Sequence, residues 1–116
     1  MTAKFELIAD EQGRYNFTLK GDDGQALLFG VSPDGRIAVQ NDILHVRKAV
    51  REAHLFVPHD APDGAFVVLK DHNGDVLGKS PHVRKDLLPA LVDAIKTSAP
   101  GAPIIERRSR SQPAHH

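Results

Sequence analysis

The sequence carries an internal repeat with a spacing of 50 residues. Residues 5–27 align without a gap on residues 55–77, and each stretch contains a strand-like segment that ends in lysine, YNFTLK at 15–20 and AFVVLK at 65–70. Alternating apolar and polar residues are typical of strands, and the Asp-Gly and Asn-Gly pairs that follow these segments favour hairpin turns. A repeat of this kind constrains the architecture before any single residue is interpreted.

The first copy continues into a helical pattern. Apolar residues recur at spacings of four and three, which predicts a helix over about residues 36–52 with a buried stripe of Val39, Ile43, Val46 and Val50. The residues before it, 32–35, could instead close another hairpin into residues 36–39. As the start of the helix, they offer two caps. Ser32 can cap a helix with Pro33 in its first position, or Asp34 can act as a later cap.

The second copy predicts a helix over about residues 85–97. Asp86 is the expected cap, and Pro89 is compatible because it falls in the first turn, where its missing N–H has no partner to lose. The expected buried stripe consists of Leu87, Leu88, Leu91, Val92 and Ile95. Ile104 and Ile105 could then add a last strand.

This order predicts an α+β fold. Strands joined by short turns pair antiparallel, and helices gathered on one side of such a sheet bury their apolar stripes against it. One unit of three strands and a helix makes a small core, so two units sharing a sheet are expected to form one pseudo-symmetric domain over residues 1–108. The repeats span about 4–53 and 54–108, and residues 109–116 are expected to be a disordered tail.

Composition narrows the class of protein. The chain of 116 residues has fifteen basic and fifteen acidic residues, which disfavours general binding to polyanions. It has no cysteine, which excludes disulfides and thiolate chemistry. No apolar run approaches the ~20 residues of a membrane-spanning helix, and the first residues lack a signal-peptide core. The expected location is the cytoplasm.

The motifs resemble those of the YegP-like family of small bacterial proteins. The first copy carries the resemblance in FEL at 5–7, YNFTLK at 15–20, DGQ at 23–25 and DILHVR at 42–47. The second copy carries it in FVVLK at 66–70, NGD at 73–75 and VDAIK at 92–96.

The resemblance implies a tandem repeat of β-β-β-α-β units. Two copies would form a single antiparallel sheet with two helices packed on it and exchange their terminal strands. Carried onto this chain, a strand near residues 54–59 would serve both units, and residues 103–108 would return to the first unit. The family has no established biochemical activity to carry over.

The seven histidines and the acids form no recognisable catalytic or metal-binding motif. A helical zinc site needs histidines four residues apart, and no such pair occurs. The pairs His59-Asp60 and Asp71-His72 lie at turns, where solvated acids are common. Gly-x-Ser-x-Gly and glycine-rich phosphate loops are absent. We therefore predict no catalytic, cofactor-binding or metal-binding residue. His115 and His116 are a natural tail or the remnant of a tag.

The candidate site residues are the basic ones near the end of the chain. Arg107, Arg108 and Arg110 could contact nucleic acid, whereas the favoured interpretation is an edge strand whose charges discourage aggregation. Tyr15, Phe17 and Phe66 could form a stacking platform for single strands, but Tyr15 and Phe17 alternate towards the core, which argues against it. The predicted function is a non-enzymatic interaction or binding module, monomeric and with unknown partners. The alternative is weak nucleic-acid binding through the basic C-terminal segment and a sheet face.

Overall fold

The computed structural model of the protein describes residues 2–108. These residues form seven strands and two α-helices, with short 3₁₀ turns at Ala53–Leu55, Lys85–Leu87 and Ala99–Gly101. In chain order the elements are β1 (Lys4–Ala9), β2 (Tyr15–Lys20), β3 (Ala26–Phe29), α1 (Arg36–Ala49), β4 (Phe56–Ala61), β5 (Gly64–Lys70), β6 (Val76–Lys79), α2 (Leu88–Ser98) and β7 (Ile104–Arg108). The predicted α+β class is confirmed. The predicted tail at 109–116, which includes Arg110, lies outside the described residues.

All seven strands belong to one sheet, in the order β4-β5-β6-β3-β2-β1-β7. The pairs from β4 to β1 are antiparallel, but β7 runs parallel to β1, with Phe5 opposite Ile104 and Ala9 opposite Arg108. The prediction of a purely antiparallel sheet is therefore wrong. Short turns impose antiparallel pairing only on strands that are joined directly, and β7 reaches the sheet from α2.

The prediction that a strand at residues 54–59 is shared by both units is also wrong. His54 lies in the 3₁₀ turn, and β4 begins at Phe56 and pairs with β5 at one edge of the sheet. The two halves of the sheet meet instead where β3 lies beside β6, with Phe29 opposite Lys79.

Both helices cover the same face of the sheet. Alternation along each strand directs one set of side chains towards the helices, and these side chains share one core with the helix stripes. Its largest fully buried hydrophobic side chains are Phe5, Leu7, Leu19, Leu28, Val39, Ile43, Val46, Val50, Val67, Leu69 and Ile95. Because no described helix covers the other face, we call that side of the sheet the open face.

The start of α1 differs from both expected caps. The helix begins at Arg36, Gly35 occupies the cap position, and no side chain caps the helix. Asp34 is held elsewhere, because its backbone N–H donates to the carbonyl of Tyr15 at 3.0 Å and its Oδ1 accepts the N–H of Gly35 at 2.7 Å. Ser32 lies outside the helix.

The predicted cap of α2 at Asp86 is wrong. Residues Lys85–Leu87 form a 3₁₀ turn, and Asp86 pairs with Arg84 at 2.7 Å instead of capping the helix. Pro89 lies in the first turn of α2, as expected. Neither α1 nor α2 has the length and apolar character of a membrane-crossing helix.

Candidate functional site

The first candidate residue, Arg107, is engaged by a buried carboxylate. Glu6 points from β1 to the open face, its side chain is 2% exposed, and its Oε2 accepts a hydrogen bond of 2.8 Å from Nη1 of Arg107. Lys20 and Lys4 approach the same carboxylate at 3.1 and 3.5 Å. We call these four residues the Glu6 cluster.

The pKa of Glu6 reflects two opposed effects. Burial raises it, but the hydrogen bonds and positive charges of Arg107 and Lys20 outweigh burial and hold the pKa below its usual value. The predicted run of three arginines is therefore not one uniform patch. Arg107 joins Glu6, Arg108 pairs through its backbone with Ala9, and Arg110 lies beyond the described residues.

Charge is segregated between the two faces of the sheet. The other two carboxylates of the described strands face the helices, where Glu106 pairs with Arg36 at 2.8 Å and Asp60 pairs with Lys85 at 3.2 Å. On the open face of these strands the one carboxylate is Glu6. The basic side chains that strand alternation places there are Lys4, Lys20, Lys70, Lys79 and Arg107.

An aromatic row crosses the open face. Phe66 on β5 stacks with His59 of β4 on one side, with ring centroids 5.2 Å apart, and with His82 after β6 on the other, at 4.9 Å. We call these three residues the Phe66 row. Nζ of Lys79 lies 5.0 Å from the Phe66 centroid, within cation–π range. Phe29 lies opposite Lys79 in the neighbouring strand and is 40% exposed.

The sequence neighbours His59 and Asp60 do not act together. His59 stacks on Phe66, whereas Asp60 pairs with Lys85 on the helical side. The imidazole of His82 instead hydrogen-bonds to Asp63, with 2.8 Å between Nδ1 and Oδ1. This hydrogen bond is the main cause that lowers the pKa of Asp63.

A second cluster lies at the end of α1. Glu52, His54 and His72 each offer one ligand atom, and the three atoms all lie within 4.8 Å of one another. Nε2 of His72 is 2.6 Å from Oε2 of Glu52. Two imidazole nitrogens and a carboxylate oxygen are a ligand set that suits Zn²⁺. We call these three residues the Glu52 cluster.

The hairpin between β5 and β6 positions His72. Oδ1 of Asp71 accepts the backbone N–H groups of Asn73 and Asp75, both at 2.9 Å, and Gly74 adopts a φ of +87°. The turn therefore uses the Asp71 carboxylate internally. The neighbours Asp71 and His72 therefore have different partners: Asp71 binds the backbone of the turn, and His72 contacts Glu52.

Sequence reasoning missed the Glu52 cluster. His72 lies 20 residues from Glu52, and no ligand spacing along the chain connects them. The signal that was present is the pair Glu52 and His54 at the end of a predicted helix, with a second histidine, His72, in a predicted hairpin turn.

Two solved structures are similar to this chain. The solution NMR structure of YegP from E. coli, a protein of unknown function, superposes with a TM-score of 0.85 at 18% sequence identity, covering 96% of this chain and 97% of that one. The solution NMR structure of a UPF0339 protein from Shewanella oneidensis gives a TM-score of 0.83 at 19% identity, with 100% of both chains covered.

The sequence comparisons add no family or function. No model of a protein family and no curated protein matches the chain. At identities below one-fifth, the likeness to the two solved structures concerns the fold. The resemblance to the YegP-like family is confirmed at that level: this chain has the YegP-like fold.

Proposed function

We propose that the protein is a non-enzymatic binding module and that the open face of the sheet binds single-stranded nucleic acid. The observation that carries the proposal is the segregation of charge. In a chain with no net charge, the described strands present the five basic side chains named above on the open face, and the one carboxylate that these strands place there, Glu6, is buried among three of them. Asp63, in the loop before β5, adds a carboxylate beside His82. A local positive surface attracts phosphates even when the whole chain is neutral.

The aromatic side chains support the same ligand. Phe29 is exposed beside Lys79, and Lys79 lies over Phe66, so that planar rings flank a cation at the middle of the sheet. Proteins that bind single strands combine a basic surface for the backbone with aromatic side chains on which bases stack. Phe66 already stacks with two imidazoles, so Phe29 is the ring we expect to receive a base.

The expected binding is weak and sensitive to salt. Each phosphate contact on a single strand contributes about 0.7 to the slope of log K against log salt, so four or five contacts give a slope of about −3. A labelled twelve-residue oligonucleotide, titrated by fluorescence anisotropy at low and moderate salt, measures both the affinity and the slope.

Matched lysine variants test the surface. Lys79→Ala removes a cation from the open face and should weaken binding several-fold and reduce the slope by about 0.7. Lys48→Ala removes an exposed cation from α1 on the helical side and should change neither. Equal effects of the two variants, or no saturable binding at ~100 μM protein in low salt, would refute the proposal. Binding by a variant that ends at residue 108 distinguishes the contribution of the open face from that of residues 109–116.

We also propose how the chain is organised into repeats. We regard the chain as a tandem repeat in which β7 of the second unit completes the sheet of the first, and the pairing of β7 with β1 supports this view. Because the second unit is within the chain, we expect the protein to be a monomer. Its expected location remains the cytoplasm. Light scattering after size-exclusion chromatography tests the oligomeric state, and a stable dimer would contradict it.

A further inference from the structure

We infer that Glu52, His54 and His72 form a site for a divalent transition-metal ion, with Zn²⁺ as the best match. The inference is independent of the open face and rests on the convergence of three ligand atoms within 4.8 Å. The ligands come from two separate segments. Glu52 lies directly before the 3₁₀ turn that follows α1, and His54 lies in that turn. His72 lies at the tip of the β5–β6 hairpin.

The geometry requires small movements to accept the ion. With metal–ligand bonds of about 2.0–2.1 Å in a tetrahedral site, neighbouring ligand atoms lie about 3.3 Å apart. Nε2 of His72 and Oε2 of Glu52 would separate from 2.6 Å, and the ligand atom of His54 already lies within 4.8 Å of both. The side chains of His72 and Glu52 are 66% and 42% exposed, so rotation about their side-chain bonds can supply these movements.

The exposed side chains of His72 and Glu52 leave room for a water ligand. His72 forms one wall of a shallow cavity of about 220 Å³, which His45 and Lys48 of α1 also line. Three protein ligands and one water complete a four-coordinate zinc ion. The Asp71 carboxylate in the same wall accepts two backbone hydrogen bonds, so it does not join the ligand set.

The fold also favours a cation at this position. The cluster follows the C-terminal end of α1, where the helix dipole carries partial negative charge. Lys48 opposes this effect, because it lines the same cavity. A bound ion would join the end of α1 to the β5–β6 hairpin. It would thus connect the two halves of the chain at a second place, in addition to the pairing of β3 with β6.

The test is a calorimetric titration of the metal-free full chain with Zn²⁺. We expect one saturable site per chain, and we expect His72→Ala and Glu52→Gln each to weaken binding by about tenfold or more. His82→Ala is the matched control, because His82 is also an exposed histidine 2.8 Å from a carboxylate, that of Asp63. It should leave the affinity within about twofold.

The tail histidines need their own control. The titrations are repeated with His115 and His116 both replaced by alanine, and the site should remain. NMR spectra of the imidazoles should show His54 and His72 shifting with Zn²⁺ while His82 does not. Absence of saturable binding by ~1 mM Zn²⁺, binding that His72→Ala leaves intact, or binding lost with the tail histidines would each overturn the inference.

Discussion

Replacing Glu6 with glutamine tests the account of the open face most directly. The substitution keeps the size of the side chain but removes the negative charge that lies within 3.5 Å of Lys4, Lys20 and Arg107. Three cations would then share a space without a counter-charge, around a side chain that is 2% exposed.

The magnitude follows from the burial of the partners. Removing one member of a fully buried ion pair costs about 3–5 kcal/mol, whereas an exposed pair contributes about 0–1 kcal/mol. Glu6 is buried, but the side chains of Lys4, Lys20 and Arg107 are 40%, 29% and 44% exposed, which places the site between the two limits. We expect Glu6→Gln to lower the free energy of unfolding by about 2 kcal/mol, and the melting temperature by about 8 °C for a chain of this length.

The effect should depend on pH with a definite sign. The folded-state pKa of Glu6 is held below its usual value of 4.5, so the carboxylate stabilises the folded protein above that value. This stabilisation is lost as the pH falls through the lowered pKa. Urea unfolding of both proteins should therefore show the full difference at pH 7 and a shrinking difference below pH 4.5.

Glu106→Gln is the matched control for this prediction. Glu106 lies on β7 and pairs with Arg36 at 2.8 Å, but its side chain is 43% exposed, so its removal should cost less than about 1 kcal/mol. Equal losses of stability in the two variants would contradict the argument that burial strengthens the ion pairs of Glu6. The same holds if Glu6→Gln is as stable as the unaltered protein at pH 7.

Two further predictions concern single contacts. Gly78→Ala should cost about 1–3 kcal/mol in urea unfolding, because the added Cβ would lie 2.8 Å from Cγ of Leu28. Gly101→Ala, where nothing lies within 4 Å of the new atom, should be neutral or slightly stabilising, and equal losses would refute the packing argument. His82→Ala should raise the pKa of Asp63 towards its usual 3.8, measured by NMR titration of the carboxyl carbon. An unchanged pKa would show that the hydrogen bond between them is not formed in solution.

Local patterns predicted the elements well. β2 has the expected bounds because alternation and turn residues act between near neighbours, and α1 begins at Arg36 as predicted. The start of α2 was less predictable. Residues Lys85–Leu87 wind as a 3₁₀ turn before Pro89, and the sequence contains no local signal that separates this turn from an α-helix.

Contacts between distant segments were not predictable in the same way. Hairpin rules say nothing about the direction of β7, because no short turn joins it to β1. The Glu52 cluster depends on a turn tip 20 residues away, and the Phe66 row depends on the register of three strands. The candidate arginines were found from the sequence, but the carboxylate that engages Arg107 lies 101 residues earlier in the chain.

The pairing of the first strand with the last has a consequence for synthesis. While the chain is being made, β1 can form hairpins with β2 long before β7 exists, so its outer edge remains unpaired. An unpaired edge is a template for another chain, and pairing between residues 99 apart, such as Phe5 and Ile104, is slow to form. Chains that terminate before Ile104 should therefore be prone to associate through β1, and the first half reaches its final form only after translation of the last strand.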